Sequence, residues 1–564
     1  MAQSLELGLQ PDSSRFTLPR FLEDIAERYG DRVAIRGEYS EITFRDLDES
    51  ARRLAGGMLA AGVVKGARVA ILMGNRPEWA IATFAASLVG AVVVPVNTFA
   101  KPDELDHILR HSDASVLLLQ TSLLKHAFLT DLVTRHPELA SGSPGSLRCR
   151  ALPQLRRVVA FGLDPDENPG PGIERWEGWM RAGDDIPGEM LDEISKEIDP
   201  SDDALIIYTS GTTALPKGVL HLQRAPVIQA YRFAEDMALS PDDVVWSAYP
   251  FFWTAGIAMA LGACLAAGAP LVIEEVFDPG TALRRIEAVK ATTVQAWPHQ
   301  EKAMAEHPSV GERDLSSVRK VEFANPLAKV VGLEKDDWGT YGSYGCSETF
   351  TICSSLPSWA SAEQRSATSG KPLPGMTIRI VDPESGELLS QGEKGEIAVK
   401  GATFMRGYYK VEPELTVDEN GFFRTQDGGH IDEQGFLHWS GRLSNLIKTG
   451  GANVSPLEID AVACERDDVR VAMAVGIPHP TLGEAIILCV VPAAGQSPDA
   501  DDLRGFLKGR LSAYKLPKRI LFFTADELSY TGNQKIQLAP LRDAAQKRLE
   551  AEEAEVDGHV YRVS

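Results

Sequence analysis

Short apolar runs that alternate with helical patterns are the feature that most constrains the fold of this chain. Residues 69–73, 91–96 and 116–119 predict buried strands, and residues 78–90 and 103–112 predict the helices between them. Strands that alternate with helices form parallel sheets covered by helices on both faces. The first part of the chain is therefore predicted to be a doubly wound α/β unit.

The alternation returns over residues 224–322, which predicts a second αβ unit. After Gly370 the pattern changes to short strands separated by turns, and near Leu443 it changes again to mixed helices and strands. The length of 564 residues suits about three or four structural units. We therefore predict an α/β fold: a large N-terminal domain (residues 1–442) of two doubly wound αβ subdomains plus a small β-rich subdomain, followed by a small α+β C-terminal domain (residues 443–564).

Two uncharged stretches, residues 79–100 and 244–273, are long enough to raise the question of a membrane span. Prolines and glycines lie within both, so each is interpreted as a buried helix followed by a buried strand. Residues 142–172 are rich in Ser, Pro and Gly and predict an excursion over the surface.

Charge and cysteine usage narrow the class of protein. The formal net charge of −22 argues against nucleic-acid binding, which needs a basic surface. The six cysteines are dispersed and form no C-x-x-C pair, so reduced thiols are favoured over a disulfide framework or a zinc site. The first residues lack the basic and apolar segments of a signal peptide. A cytoplasmic protein with no transmembrane segment is predicted.

Residues 206–221 carry the strongest functional signal. Hydroxyl groups, backbone amides and a lysine are concentrated between two apolar runs, which is a pattern suited to binding phosphate oxygens. The residues concerned are Thr209, Ser210, Gly211, Thr212, Thr213 and Lys217. It is not the common P-loop, since a proline precedes the lysine and no helix pattern follows. The alternative is a polar hairpin turn.

Four further polar groups are candidates for the same chemistry. Glu348 lies in a glycine-interrupted turn and could supply an oxygen ligand for Mg²⁺. Asp427 follows an aromatic run and could accept hydrogen bonds from a ribose diol, Arg442 ends the β-rich part, and Lys535 lies near the C-terminus. Each of these, taken alone, is also typical of a solvated polar loop.

Taken in order, these motifs resemble the adenylate-forming (ANL) superfamily of acyl- and aryl-CoA ligases, peptide-synthetase adenylation domains and beetle luciferases. The resemblance extends from about Thr17 to Arg542. Its most diagnostic string is Tyr-Thr-Ser-Gly-Thr-Thr-x-x-Pro-Lys-Gly at residues 208–218, and the strings at residues 370–375, 407–409 and 450–456 follow in the expected order.

The resemblance implies a role for each motif. The phosphate loop would hold the β- and γ-phosphates of ATP, with Lys217 as its cation, and Glu348 would bind Mg²⁺. Asp427 would bind the ribose hydroxyls and Arg442 the ribose or the phosphates. The remaining nucleotide contacts would come from Ala324, Asn325, Tyr344, Gly345 and Ser347.

The resemblance also implies two half-reactions. Lys535 would bridge the acyl carboxylate and the α-phosphate, a role that suits a point charge on a flexible stem. The C-terminal domain would be mobile and would rotate after adenylate formation, with its hinge at Ser444. Gly450 and Gly451 would then let the pantetheine arm of coenzyme A approach closely.

In the nucleotide-binding, catalytic and hinge motifs, the chain departs from the family pattern at four positions. Ala214, Gln426 and Gln534 stand where the family has glycine, and Ser444 stands where the hinge is usually Asp or Lys. None of these changes removes a charge that the chemistry needs. The three glycine replacements put the local backbone in question, because glycine often marks a positive φ.

Residues 249–256 match the family segment that contacts the acyl group, with Trp253 in the position of the usual histidine. Thr254, Gly256 and Trp297 complete the predicted substrate pocket, and His299 is expected on its far wall. The segment has no aspartate that could pair with a substrate ammonium group, so amino acids are disfavoured. An apolar or aromatic acid is predicted; the small residues Ala258 and Ala260 suit core packing equally well.

The predicted function is an AMP-forming acid–CoA ligase that uses ATP, Mg²⁺ and coenzyme A on a small-molecule carboxylic acid. Fatty acid or aromatic acid metabolism is the expected setting. Two alternatives stay open: an adenylating enzyme that loads an acyl carrier protein, and a catalytically silent nucleotide-binding homologue. A luciferase-like oxidase is less favoured, and a homodimer is also left open.

Overall fold

The computed structural model describes residues 16–209, 216–445, 447–449, 452–511, 513–530 and 536–562. The chain divides into two compact units. The first comprises Met1–Thr377 and Val399–Phe423, and the second comprises Ile378–Ala398 and Arg424–Ser564. The domain boundary after residue 442 stays a prediction.

The first unit begins with an alternation of helices and strands. In chain order these are α1 (Leu18–Tyr29), β1 (Val33–Arg36), β2 (Glu41–Thr43), α2 (Phe44–Ala60), β3 (Arg68–Leu72), α3 (Pro77–Leu88), β4 (Val92–Pro95), α4 (Pro102–His111), β5 (Val116–Gln120), α5 (Phe128–Arg135), α6 (Pro137–Ser141), β6 (Arg157–Phe161), β7 (Ile173–Arg175), α7 (Trp176–Gly183) and α8 (Gly188–Lys196).

A hairpin and a second alternation follow. They contain β8 (Asp203–Thr209), β9 (Lys217–Leu222), α9 (Arg224–Asp236), β10 (Val245–Ser247), a π-helix (Gly256–Gly262), α10 (Ala263–Ala267), β11 (Leu271–Ile273), α11 (Pro279–Val289), β12 (Thr293–Gln295), α12 (Pro298–Ala305), α13 (Pro326–Val330), a 3₁₀ turn (Ser347–Thr349), β13 (Ser354–Ser355), α14 (Ala362–Ala367) and β14 (Lys371–Pro372).

The rest of the chain is richer in strands. Its elements are β15 (Met376–Val381), β16 (Gly395–Gly401), β17 (Gly407–Tyr408), β18 (Phe423–Ile431), β19 (Leu437–Arg442), β20 (Ile447–Thr449), β21 (Ala452–Val454), α15 (Pro456–Ala463), β22 (Val469–His479), β23 (Gly483–Pro492), α16 (Ala500–Lys508), β24 (Arg519–Phe522), α17 (Leu538–Ala551), β25 (Glu555–Val556) and β26 (His559–Val560).

The first unit contains two largely parallel sheets. Eight strands run in the order β17-β9-β8-β4-β3-β5-β6-β7, with parallel pairing from β8 to β7 and antiparallel pairing at the β8–β9–β17 edge. Five strands run in the order β12-β10-β11-β1-β2, and only β2 is antiparallel to its neighbour. The two predicted doubly wound subdomains are therefore confirmed.

The predicted surface excursion at residues 142–172 is partly wrong. Leu147, Leu152 and Leu155 are fully buried and join the core of the eight-stranded sheet. The apolar residues of this segment pack into the core, so its Ser, Pro and Gly content was a poor guide.

Both uncharged stretches fold as predicted. Every residue of α3 from Trp79 to Leu88 is buried, and β4 follows it into the sheet. Residues 256–267 form the π-helix and α10, and β11 follows them. In the part of the chain that the structure describes, no helix is both long enough and apolar enough to span a bilayer.

The second unit holds a four-stranded sheet in the order β15-β16-β18-β19 and a five-stranded α+β sheet in which β23 is central. Along β23 the side chains alternate between two cores: Ile486 and Leu488 face α15 and α16, and Ile487 and Cys489 face α17. Helices therefore cover both faces of this sheet, which confirms the predicted small α+β domain.

Candidate active site

The phosphate loop connects the two strands of a hairpin. β8 and β9 are antiparallel, and Thr209 pairs with Lys217 where both strands meet the loop. The structure thus brings these two predicted residues together. Ser210, Gly211, Thr212 and Thr213, together with Ala214, lie outside the described residues.

Glu348 lies next to the same hairpin, joined to it by a tyrosine that the sequence analysis did not assign. Tyr408 donates from its phenol to Oε1 of Glu348 at 2.7 Å, and its ring centroid lies 5.3 Å from Nζ of Lys217. The backbone amide of Met405 donates to the carbonyl of Glu348 at 2.8 Å. Tyr408 is on β17, which pairs with β9, so the sheet edge holds a cation and a carboxylate next to one tyrosine.

The turn that carries Glu348 has a tightly fixed backbone. A Cβ atom at Gly345 would lie 2.1 Å from the carbonyl oxygen of Thr351, so no larger residue fits there. Phe350 and Thr351 have φ values of 51° and 96°, which non-glycine residues rarely adopt. The buried side-chain amide of Gln229 donates to the carbonyls of Phe350 and Ile352 at 2.8 and 2.7 Å. These contacts hold the carboxylate of Glu348 in place.

A buried histidine packs the hairpin against this turn. His221 on β9 has no exposed surface, and its ring meets that of Phe350 edge-on with centroids 4.8 Å apart. Burial lowers the pKa of His221 to about 3, so the ring is neutral at ordinary pH. The neutral ring therefore packs between β9 and the turn that carries Glu348.

Two histidines on α4 support the other side of the hairpin. Nε2 of His107 lies 3.0 Å from the carbonyl oxygen of Pro216, the residue before Lys217. Nδ1 of His111 lies 2.8 Å from the phenol of Tyr208, and burial lowers the pKa of His111. Both ends of the phosphate loop are therefore anchored to the same helix.

The predicted adenine-binding residues have varied surroundings. Asn325 is buried at the start of α13, with its backbone amide donating to the carbonyl of Glu322 at 3.0 Å, whereas Ala324 is exposed. Tyr344 is buried and its backbone pairs with Ser354. Ser347 begins the 3₁₀ turn. The roles of Tyr344, Ala324 and Asn325 at the adenine, and of Ser347 at the α-phosphate, stay predictions.

The predicted acyl pocket residues include an aromatic cluster. The ring of Trp297 lies 4.6 Å from that of Tyr249 and 6.4 Å from that of Trp253, and Trp253 and Trp297 are both partly exposed. Gly256 begins the π-helix where a Cβ would lie 1.9 Å from the carbonyl of Pro250, so this glycine is required by packing.

Polar groups lie next to this cluster. Thr254 is buried. Glu301 on α12 is also buried, and its Oε2 has no hydrogen-bond partner. Burial raises the pKa of Glu301 to about 8, so its carboxyl group holds a proton at neutral pH. No sequence pattern predicts this buried group, because a glutamate in a helix is usually exposed.

In the second unit, the two predicted ribose-site residues face each other across β18 and β19. Nε of Arg442 lies 3.0 Å from Oδ1 of Asp427, and the Asp427 carboxylate is buried whereas the Arg442 side chain is half exposed. Gln426 has a φ of 61°, so the chain keeps the left-handed conformation that glycine would supply there. The amide of Gln426 donates to Oε1 of Glu396 at 2.8 Å.

Several predicted residues are not described. Gly450, Gly451 and Lys535, with Gln534, lie outside the described ranges. Ser444 lies in a short 3₁₀ turn at residues 443–445, and its side chain is also outside the description. Their roles stay predictions.

The doubly wound sheets followed by a small α+β domain are the fold of the class of adenylate-forming proteins. The family model "AMP-binding enzyme" matches residues 22–409, and the model "AMP-binding enzyme C-terminal domain" matches residues 458–535. The chain belongs to the AMP-binding enzymes of the ANL adenylate-forming superfamily.

The similarity to known proteins covers almost the whole chain. A feruloyl-CoA synthase of Amycolatopsis sp is 31% identical over 518 residues, covering 90% of this chain and 95% of that protein. An indoleacetate–CoA ligase of Aromatoleum aromaticum is 29% identical over 528 residues, covering 92% and 96%. The crystal structure of the anthranilate CoA ligase AuaEII with anthranoyl-AMP matches with a TM-score of 0.76 at 23% identity, covering 94% and 98%. The last match shows the shared fold.

Proposed function

We propose that this protein is an AMP-forming acid–CoA ligase. It activates an apolar or aromatic carboxylic acid with ATP to an acyl adenylate, releases pyrophosphate, and transfers the acyl group to coenzyme A to give acyl-CoA and AMP. The observation that carries this proposal is the contact of Tyr408 with both Glu348 and Lys217 at the mouth of the phosphate hairpin.

Charge explains why this arrangement suits adenylate formation. A carboxylate that attacks the α-phosphate must overcome repulsion between anions, and the transition state spreads charge over the phosphoryl oxygens. Lys217 and the loop hydroxyls counter that charge at the β- and γ-phosphates. Lys535 does so where the carboxylate meets the α-phosphate.

Glu348 fits the requirements of a Mg²⁺ ligand. Its carboxylate is partly exposed, one oxygen is oriented by the Tyr408 phenol, and Mg²⁺ is typically bound by one or two carboxylates together with substrate phosphates. When bound, the ion neutralises phosphate charge. Glu348 would therefore hold the metal beside the phosphates of ATP.

The remaining residues recognise the rest of the nucleotide and the acceptor. Asp427 accepts hydrogen bonds from the ribose hydroxyls while Arg442, its present partner, contacts the ribose or the phosphates. Tyr344, Gly345 and Ser347 lie along the adenine and the α-phosphate, with Ala324 and Asn325. Gly450 and Gly451 admit the pantetheine arm, and Ser444 is the hinge of a mobile C-terminal domain.

Two observations support an aromatic or apolar acid. Trp253, Trp297 and Tyr249 form one aromatic cluster, and the similar ligases named above act on feruloyl and indoleacetate groups. All six cysteines are free thiols, which supports the proposed cytoplasmic location. The homodimer stays a prediction.

The test combines an acid panel with two acceptors. Purified protein is incubated with ATP, Mg²⁺ and aryl, medium-chain and long-chain acids, with either coenzyme A or a holo carrier protein. Acyl-CoA and AMP are expected with coenzyme A; pyrophosphate release without any CoA thioester would point to carrier loading, and no pyrophosphate release would point to a silent homologue. Lys535→Ala is expected to abolish adenylation but to leave thioester formation from supplied acyl adenylate.

A further inference from the structure

Three side chains of the kinds that bind transition metals meet where α5 ends and α6 begins. His136 separates the two helices, Glu138 lies in the first turn of α6, and Cys149 lies in the segment that returns to β6. One donor atom from each lies within 4.8 Å of the other two. The spacing of the cysteines disfavoured a zinc site. A search for paired cysteines does not detect a site built from one cysteine and two residues of other types.

The surroundings of His136 are those of a metal-binding histidine. Its ring is almost fully buried, and Nε2 lies 2.9 Å from Oδ1 of Asp106. Asp106 is itself paired with Arg135 at 2.6 Å. In metal sites a carboxylate typically holds the second ring nitrogen of the histidine, which fixes the ring and its tautomer.

Cys149 and Glu138 supply the charge that a divalent cation needs. Cys149 is buried, and its thiol is hydrogen-bonded to Glu138, whose side chain is partly exposed. A divalent cation would displace the thiol proton, and the thiolate and the carboxylate would together balance its two charges.

We propose that His136, Glu138 and Cys149 form a Zn²⁺ site with a water molecule as the fourth ligand. Nitrogen, sulfur and oxygen donors together are the ligand set of Zn²⁺, whereas Mg²⁺ takes oxygen alone. Zinc–ligand distances of about 2.0–2.3 Å place tetrahedral donors roughly 3.5 Å apart. The donor atoms lie within 4.8 Å of one another, so the side chains close in by no more than about 1.3 Å. The ion links the segment after α6 to the junction between α5 and α6. The zinc-site proposal does not depend on the proposed ligase function.

The experiment uses the full chain, freed of metal with a chelator, and Zn²⁺ alone without ATP. Competition with a chromophoric chelator gives the stoichiometry and the affinity, and a weakly buffered solution gives the protons released. We expect one Zn²⁺ per chain with proton release, at least about 100-fold weaker binding in Cys149→Ser and His136→Gln, and about 10–100-fold weaker binding in Asp106→Asn. The exposed cysteine provides a matched control, because Cys464→Ser leaves this site intact.

Co²⁺ in place of Zn²⁺ gives a second readout. A thiolate-to-cobalt charge-transfer band is expected in the wild type and in Cys464→Ser, and it is expected to be absent in Cys149→Ser. Glu138→Gln changes a side chain that is not fully buried, so it tests the site if the buried substitutions unfold the protein. Zinc binding that is substoichiometric, or that is equal in the wild type and Glu138→Gln, would overturn the proposal.

Discussion

Removing one hydroxyl group from Tyr408 tests the proposed metal and phosphate site most directly. Tyr408→Phe keeps the ring beside Lys217 but loses the 2.7 Å hydrogen bond to Glu348. A hydrogen bond to a charged group contributes about 1.5–3 kcal/mol. Glu348 is partly exposed, so water replaces the lost donor and the lower value applies. About 1.5 kcal/mol corresponds to roughly a tenfold loss of affinity.

The assay is pyrophosphate release at saturating acid and ATP while the Mg²⁺ concentration is varied. The half-saturating Mg²⁺ concentration is expected to rise about tenfold in Tyr408→Phe. The adjacent tyrosine is the matched control: Tyr409 donates to Asp113 at 2.9 Å, so Tyr409→Phe leaves the Mg²⁺ dependence unchanged. An unchanged Mg²⁺ dependence in Tyr408→Phe, or an equal rise in both variants, would refute the reasoning.

Four further substitutions address the backbone, the hairpin and a buried acid. Gly345→Ala is expected to slow adenylation at least about 100-fold, because the added methyl group would displace the turn that carries Glu348. The rate of acyl adenylate formation measures this effect. Gln426→Gly is expected to raise the free energy of urea unfolding by about 0.5–1 kcal/mol, because glycine relieves the positive φ. His107→Ala loses the bond to Pro216 and, at about 1 kcal/mol, is expected to raise the KM for ATP about fivefold without changing that for the acid. The pKa of Glu301 is raised from 4.5 to about 8, so between these pH values the folded state keeps a proton that the unfolded chain loses. The free energy of unfolding of the wild type is therefore expected to fall, relative to that of Glu301→Gln, as the pH rises from 4.5 to about 8.

Each of these predictions has a control or an outcome that contradicts it. Gly178 has open space around its Cβ position, so Gly178→Ala should leave adenylation intact. Gln426→Ala keeps the strained φ and should give no gain in stability. His126 stacks on Phe128 with ring centroids 5.8 Å apart, and an equal rise in the KM for ATP in His126→Ala would count against the role of His107. A difference between wild type and Glu301→Gln that does not vary with pH would show that Glu301 is ionised in the folded protein.

The sequence predicted most of the fold because its signals are local. Apolar runs of strand length between helical patterns located β3 to β5 to within a few residues. The pairing of β17 with β9 was not predicted, since it joins Tyr408 to Val219 across nearly two hundred residues and no local pattern encodes it. The same limit hid the role of Tyr408, although its Gly-Tyr-Tyr string was recognised.

The sequence predicted the residues of the candidate site but not the residues that hold them in position. Lys217, Glu348, Asp427 and Arg442 were named from motifs, and the structure places the first two around one tyrosine and the last two in one ion pair. Gln229 was missed because a glutamine inside a helix has no distinctive spacing. Its side-chain amide donates hydrogen bonds to three carbonyl groups more than a hundred residues away in the chain.

The position of β17 at the edge of the eight-stranded sheet has a consequence for biosynthesis. The first unit is interrupted in sequence by residues 378–398, and its last strand, Gly407–Tyr408, emerges from the ribosome only after β15 and β16 of the following sheet. Until then β9 has an uncovered edge beside the phosphate hairpin, and such edges invite pairing with other chains. A chain that lacks residues 407–408 would expose this edge, so the strand that carries Tyr408, the residue that orients Glu348, also covers the edge of the sheet.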